Sequence, residues 1–269
     1  MRIEWSHVNK VFYGKEEGDR FSYQRQAQTG LLDFTASLKQ GVTVILGPEG
    51  SGKSTLLRVT AAAAVPDDGR ITYQTHRSEV HVWSKSIAAM GSASPMEALR
   101  QRIGYVPQRK RLNHDTPLDE SLLYLAQSYQ LPQPKKRAAE LIARWGLAGV
   151  RKQPLNELSR DVAARYIIAR SLISEPPIWL LDEPAHGLDD WGWQLFMQEL
   201  TRRRQHGITV LATNDLELAE AADHLLLMEA GSCRRIGPRK ILTAGVPDGT
   251  VASWYRTMQT FSKVKTRSP

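Results

Sequence analysis

The chain has 269 residues, 41 % of them hydrophobic, enough to bury one good core with room for a subdomain or a short appendage. No apolar run approaches the roughly 18 to 20 residues of a spanning helix, and residues 1–10 lack a secretion signal's apolar stretch, so the expected place is the cytosol unless a partner recruits the chain. The formal charge is +8, but the eight basic residues from Arg234 onward face only Asp248, so the excess sits at one end and no nucleic acid is expected.

In chain order, residues 3–8 and 31–38 read as strands of a smaller antiparallel sheet, with the polar stretch 14–30 between them as an exposed hairpin or loop. Residues 42–46 form a short apolar run, and a helix is expected over 53–64. The stretch 74–99, containing Gly91-Ser92-Ala93-Ser94-Pro95, reads as an irregular surface insertion. Apolar residues then recur at helical spacing over 118–129 and 135–145, separated by Pro132 and Pro134, which predicts an inserted helical lobe over about 109–160.

Residues 178–181, 208–212 and 225–228 complete a set of central strands. Their alternation with helical patterns predicts an α/β fold, a mostly parallel sheet wrapped by helices. Cys233 is the single cysteine, so no internal disulfide is possible, and nothing near it resembles a set of metal ligands. Val251, Trp254, Tyr255, Met258 and Phe261 recur at helical spacing beside Arg256, Lys263 and Lys265. Residues 246–269 therefore read as a basic amphipathic helix and tail, facing its own domain, a partner or an acidic membrane surface.

The run Gly47-Pro48-Glu49-Gly50-Ser51-Gly52-Lys53-Ser54 follows the strand at 42–46 and opens the helix at 53, the context a phosphate-binding loop requires. Glycines there let backbone N–H groups curl around phosphate oxygens at a helix N-terminus. Lys53 would reach the β- and γ-phosphates, Ser54 would hold Mg²⁺, and Thr55 completes the expected binding set.

Further on stand Gly104-Tyr105-Val106-Pro107-Gln108, Leu158-Ser159, Ile178-Trp179-Leu180-Leu181-Asp182-Glu183-Pro184 and Gly187-Leu188-Asp189. In this order and spacing they resemble the ATPase domain of ABC transporters, over about residues 1–245. The resemblance implies a phosphate-loop NTPase core with an antiparallel β subdomain and a helical lobe, using ATP and Mg²⁺. Gln108 would be the Q-loop glutamine, touching Mg²⁺ or the attacking water. Asp182 would hold Mg²⁺ through water, and Glu183 would polarise the water that attacks the γ-phosphate. Asp189 matches the loop that crosses the family's dimer interface, or serves as a plain helix N-terminal acid. Tyr13 stands where the family stacks a ring on adenine, or is an ordinary strand aromatic.

Two positions depart from the family pattern. Its usual signature, Leu-Ser-Gly-Gly-Gln, is here Leu158-Ser159-Arg160-Asp161-Val162. Ser159 remains for the partner's nucleotide, but two glycines are lost, and Asp161 brings a carboxylate toward a phosphate unless Arg160 offsets it. The family's Thr-His-Asp is here Thr213-Asn214-Asp215, and Asn214 can donate a hydrogen bond yet cannot become a cation.

The resemblance thus implies a peripheral motor at the cytoplasmic face of the cell membrane, paired with an integral-membrane permease and a second ABC ATPase subunit. The lobe sequence around residues 117–129 looks exporter-like. Alternatives are a regulatory subunit with little turnover, or a non-transport ABC ATPase. The interval from Gly52 to Leu158 is too short for the long coiled coil of the DNA-repair relatives.

Overall fold

The computed structural model describes residues 1–13, 27–76, 79–90, 93–108, 112 and 114–265. It opens with strands β1 (Arg2–Tyr13), β2 (Ala27–Lys39) and β3 (Gly41–Leu46), helix α1 (Lys53–Thr60), and strands β4 (Asp68–His76) and β5 (Glu79–Ser84). Helices α2 (Lys85–Ala89) and α3 (Ala93–Gln101) lead into β6 (Ile103–Val106). Helices α4 (Leu118–Ser128), α5 (Pro134–Arg144) and α6 (Arg160–Ser171) precede β7 (Ile178–Asp182). Then come α7 (Asp190–Arg203), β8 (Ile208–Ala212), α8 (Leu216–Ala219), β9 (His224–Glu229), β10 (Ser232–Pro238), α9 (Arg239–Thr243) and α10 (Val251–Lys265).

Two sheets result. The larger runs β10-β9-β3-β8-β7-β6, parallel except for the β10–β9 pair, and the smaller is antiparallel in the order β2-β1-β4-β5. Every residue of β3, β7 and β8 is buried, as expected of parallel strands covered on both faces. Alternation along the strands sorts their side chains into two cores. Val42, Val44, Leu46, Trp179, Leu181 and Leu211 face the helical lobe, whereas Ile45, Ile178, Leu180, Ile208, Val210 and Ala212 face α1 and the antiparallel sheet.

The expected parallel sheet and antiparallel subdomain are present, but three local expectations need correcting. Residues 74–99 are not irregular: they hold the end of β4, then β5, α2 and α3, and Trp83 is 1 % exposed in the core under α1. The polar stretch 14–30 gives up residues 27–30 to β2, while residues 14–26 lie outside the described residues. The helix expected to reach residue 64 stops at Thr60, with Ala62 at φ 52°. The stop is tertiary. Trp5 Nε1 donates to Thr60 Oγ1 at 2.9 Å, Tyr73 Oη to the Thr60 carbonyl at 2.6 Å and Trp83 Nε1 to the Ala64 carbonyl at 3.0 Å, so an alanine run of high helix propensity is bent out of its helix.

In the lobe, α4 and α5 pack together and against α6, whose Tyr166 hydroxyl pairs with Ser121 at 2.7 Å. Helix α10 docks on its own domain, burying Val251 and Trp254, and its first N–H donates to Glu220 Oε1 at 2.6 Å. The side chains of Phe261, Lys263 and Lys265 lie outside the described residues.

Candidate nucleotide site

Strand β3 delivers the chain into the loop at Gly47, and the loop turns into α1 at Gly52. Gly52 takes φ 99°, where a side chain would be strained, and a Cβ there would also fall on the Gly30 carbonyl. Glycine at this point brings the N-terminus of α1 against β2, and the first N–H groups of α1 have no partner within their own helix.

Lys53 is only 9 % exposed, and its ammonium donates to the Gly47 carbonyl at 2.6 Å and the Pro48 carbonyl at 3.0 Å. Burial lowers its pKa, partly countered by Glu183, Asp182 and Glu49. Beside it, Ser54 Oγ donates to Asp182 Oδ1 at 3.0 Å. Asp182, 2 % exposed at the end of β7, has its pKa raised by burial, with the Ser54 bond pulling the other way. A carboxylate this dry gains from a cation at the site.

Glu183 adopts φ 47° just past the strand, and its N–H donates to the Ala212 carbonyl at 2.9 Å. Its Oε2 accepts from Thr213 Oγ1 at 3.0 Å and its Oε1 from the Asn214 N–H at 3.1 Å. These groups share a cleft of about 510 Å³ lined by residues 49–55, Gln108, Asp182, Glu183 and Asn214, with Phe12, Gly30 and Arg58. Gly47 and Pro48 stand behind it, holding Lys53. Phe12, not Tyr13, forms the aromatic wall, with Lys10 and Arg58 over its ring at 5.5 and 5.6 Å. Tyr13, next along β1, is 64 % exposed.

Among the described residues no three His, Cys, Asp or Glu side chains gather as a metal cage. One hydroxyl, one carboxylate and the Gln108 amide at the cleft are a donor set suited to Mg²⁺, which keeps several waters and phosphate oxygens as ligands.

Ser159 and Asp189 do not line this cleft. Asp189 caps α7, accepting from the Gly192 N–H at 2.8 Å. Ser159 sits at the N-cap of α6, but its hydroxyl donates to Asp161 Oδ1 at 2.6 Å and accepts no capping bond from a backbone N–H. Arg165 Nη2, one helical turn on, donates to Asp161 Oδ2 at 3.3 Å. That pair holds the Asp161 pKa below the usual carboxylate range, the Ser159 bond first. The offset that Arg160 could have supplied comes from another residue: Arg160 Nη2 lies 2.6 Å from His186 Nε2, and the cation answering Asp161 is Arg165.

Three residues of this arrangement belong to no motif, Phe12, Arg58 and Arg165, while Thr213 stands in the Thr213-Asn214-Asp215 run without a role of its own there. The Asp161–Arg165 spacing of four residues on one helix was the available signal for Arg165. Arg58 and Phe12 become neighbours only when β1 crosses α1, which no spacing reveals.

A family model described as ABC transporter matches residues 31–186. The nickel import ATP-binding protein NikO of Rhodobacter capsulatus is 32 % identical over 82 % of this chain and 87 % of its own. The Nod factor export ATP-binding protein I of Ralstonia nicotianae is 30 % identical over 84 % of this chain and 68 % of its own. A solved dimeric ATP-binding cassette in a post-hydrolysis state with ADP and Pi shares the fold at TM-score 0.70 and 22 % identity, over 88 % of this chain and 98 % of that one. The chain belongs to the ABC transporter family, as an ATP-binding ATPase subunit.

Proposed function

We propose that this chain hydrolyses Mg·ATP in the cleft at the end of β3 and β7, and that the cycle drives a solute through a separate integral-membrane permease. The observation that carries the reading is the meeting of Lys53, Ser54, Gln108, Asp182 and Glu183 around one opening. The Lys53 ammonium, now on two carbonyls, turns to the β- and γ-phosphates, and the loop N–H groups and α1 hold the same phosphates. Ser54, Asp182 and Gln108 would hold Mg²⁺, whose charge would offset that of the phosphates. Glu183 accepts a hydrogen bond from the attacking water and takes its proton. Phe12, the aromatic wall of the cleft, takes the adenine stacking expected of Tyr13, which is exposed at the next position of β1.

Two such cassettes close over ATP, with Ser159 and Asp189 at the interface. A cavity of about 410 Å³ between core and lobe, lined by Tyr105, Pro107, Leu125 and Tyr129, is the seat for a permease segment. It adjoins Gln108, so a shift of that residue on hydrolysis reaches the permease. Among the described residues no helix is long and apolar enough to cross a membrane, and the permease supplies the attachment at the cytoplasmic face. The exporter-like lobe argues for export, whereas relatives of similar identity are named for both directions, so the permease sets the direction.

A fluorescent ATP analogue tests the reading. Lys53→Ala is expected to weaken binding strongly, and equal affinity in the variant would remove the loop from nucleotide binding.

A further inference from the structure

Glu183 is held by its backbone and by its side chain, and the two holds come from the same strand end. The pairing of Asp182 with Ala212 in β7 and β8 continues into the bond from the Glu183 N–H to the Ala212 carbonyl. One residue on, Thr213 is completely buried, and its hydroxyl touches both Glu183 Oε2 and the Asp215 N–H, each at 3.0 Å. An N–H can only donate, so the Thr213 oxygen accepts from Asp215 and its single proton is left for Glu183. The direction of the chain Asp215 to Thr213 to Glu183 is therefore fixed by chemistry.

The other carboxylate oxygen takes the Asn214 backbone N–H. That contact is indifferent to the side chain at 214, so the departure from histidine leaves it intact. A carboxylate offers about four acceptor positions, and two remain open after these bonds. Glu183 lines the cleft, so the open positions are available to a water there. Its φ of 47° is rare for a residue with a side chain, a conformation that neighbouring bonds must maintain.

We propose that Thr213 is a positioning residue for ATP hydrolysis: its hydroxyl fixes the rotamer of Glu183 and so the place of the attacking water. The inference deepens the proposed role of Glu183 and rests on it. Without the hydroxyl, one carboxylate oxygen loses its partner and the side chain gains rotamers that miss the water. Thr213 is buried and does not line the cleft, so affinity for the nucleotide should be unchanged.

The test compares Thr213→Val, which keeps the shape and loses the hydroxyl, with Thr213→Ser, which keeps the hydroxyl, and with Glu183→Gln. Each is made in the full chain and purified in complex with its permease and partner cassette. Steady-state ATPase assays yield kcat and KM, and the fluorescent analogue yields Kd. Loss of a hydrogen bond to a charged group predicts a kcat about 10- to 100-fold lower for the valine variant. KM and Kd should stay within about twofold, and the serine variant should keep most of the rate, because only the hydroxyl is asked for. A valine variant with wild-type kcat, equal losses in the valine and serine variants, or a Kd that worsens as much as kcat falls would each overturn the inference. If Glu183→Gln turns over like wild type, the role of Glu183 fails and this inference with it. An inactive glutamine variant beside a fully active valine variant removes Thr213 alone.

Discussion

The cleft at the end of β3 and the N-terminus of α6 are both helix N-termini of the kind that receives phosphate, yet their groups are engaged differently. In the cleft, Lys53 rests on two neutral carbonyls, and Asp182 is buried beside a serine hydroxyl with no cation at hydrogen-bond distance among the described residues. These contacts are weak substitutes that an anion and a metal ion improve on. At α6, Ser159 already donates to Asp161, and Asp161 already holds Arg165. A carboxylate from the chain itself stands where the helix would greet a phosphate. A phosphate site is thus marked by partners it still lacks, whereas the α6 end is occupied by side chains of its own chain.

The largest effect should come from Glu183→Gln. The amide orients water but takes no proton, so turnover should fall by about 10² to 10⁴ while ATP affinity holds. Measured ATPase rates that stay at the wild-type level would break the cleft half of the comparison.

Arg165→Met sharpens the other half. The guanidinium donates to the Trp145 and Gly146 carbonyls at 3.2 and 3.1 Å, lies 4.6 Å from the Trp191 ring and is 4 % exposed. It joins the end of α5, the start of α6 and α7. Leaving those carbonyls unpartnered should destabilise the fold by about 1 to 3 kcal/mol, read as a lower denaturation midpoint. An unchanged midpoint would mean that the α6 end is not structural.

Much of this was legible beforehand, and the reasons differ by place. The loop from Gly47 to Ser54 and the Asp182-Glu183 pair were readable because phosphate chemistry demands fixed residue types at fixed spacing, next to strands buried on both faces. Residues 74–99 were not, because β5 is an edge strand whose Val80 and Val82 are exposed and whose Trp83 declares itself only when β4 pairs beside it. The end of α1 was hidden because Trp5, Tyr73 and Trp83 reach it from three distant strands. Asp161 is legible as a charge problem that the adjacent Arg160 could offset, but the cation that meets it is Arg165. Side chains one apart on a helix diverge, whereas those four apart meet.

Replacing Arg160 and Asp161 together by glycine should free the Ser159 hydroxyl and open the helix end to a partner's γ-phosphate. In a dimer whose active site depends on this signature, a regained hydrogen bond to phosphate should raise turnover by roughly 10-fold. Part of the gain is lost to the two flexible residues in the first turn and to an Arg165 left with carbonyls alone. A rate unchanged or lower would show that the carboxylate is not the obstacle.

The smallest effect is expected from Asn214→His. The bond that 214 contributes to Glu183 comes from its backbone N–H, and the second hold on that carboxylate comes from Thr213. Neither depends on the ring. Asn214 lines the cleft and its amide already offers a donor to a γ-phosphate oxygen, so a histidine adds only a longer reach and, in its protonated form, charge. The gain should be within about threefold, the scale of one improved polar contact. Steady-state rates of this variant and of the double glycine variant, in the same assembly, rank the two regions directly. If the histidine variant gains more, the limiting defect lies in the cleft, and the contrast between an available phosphate site and a self-occupied helix end no longer accounts for turnover.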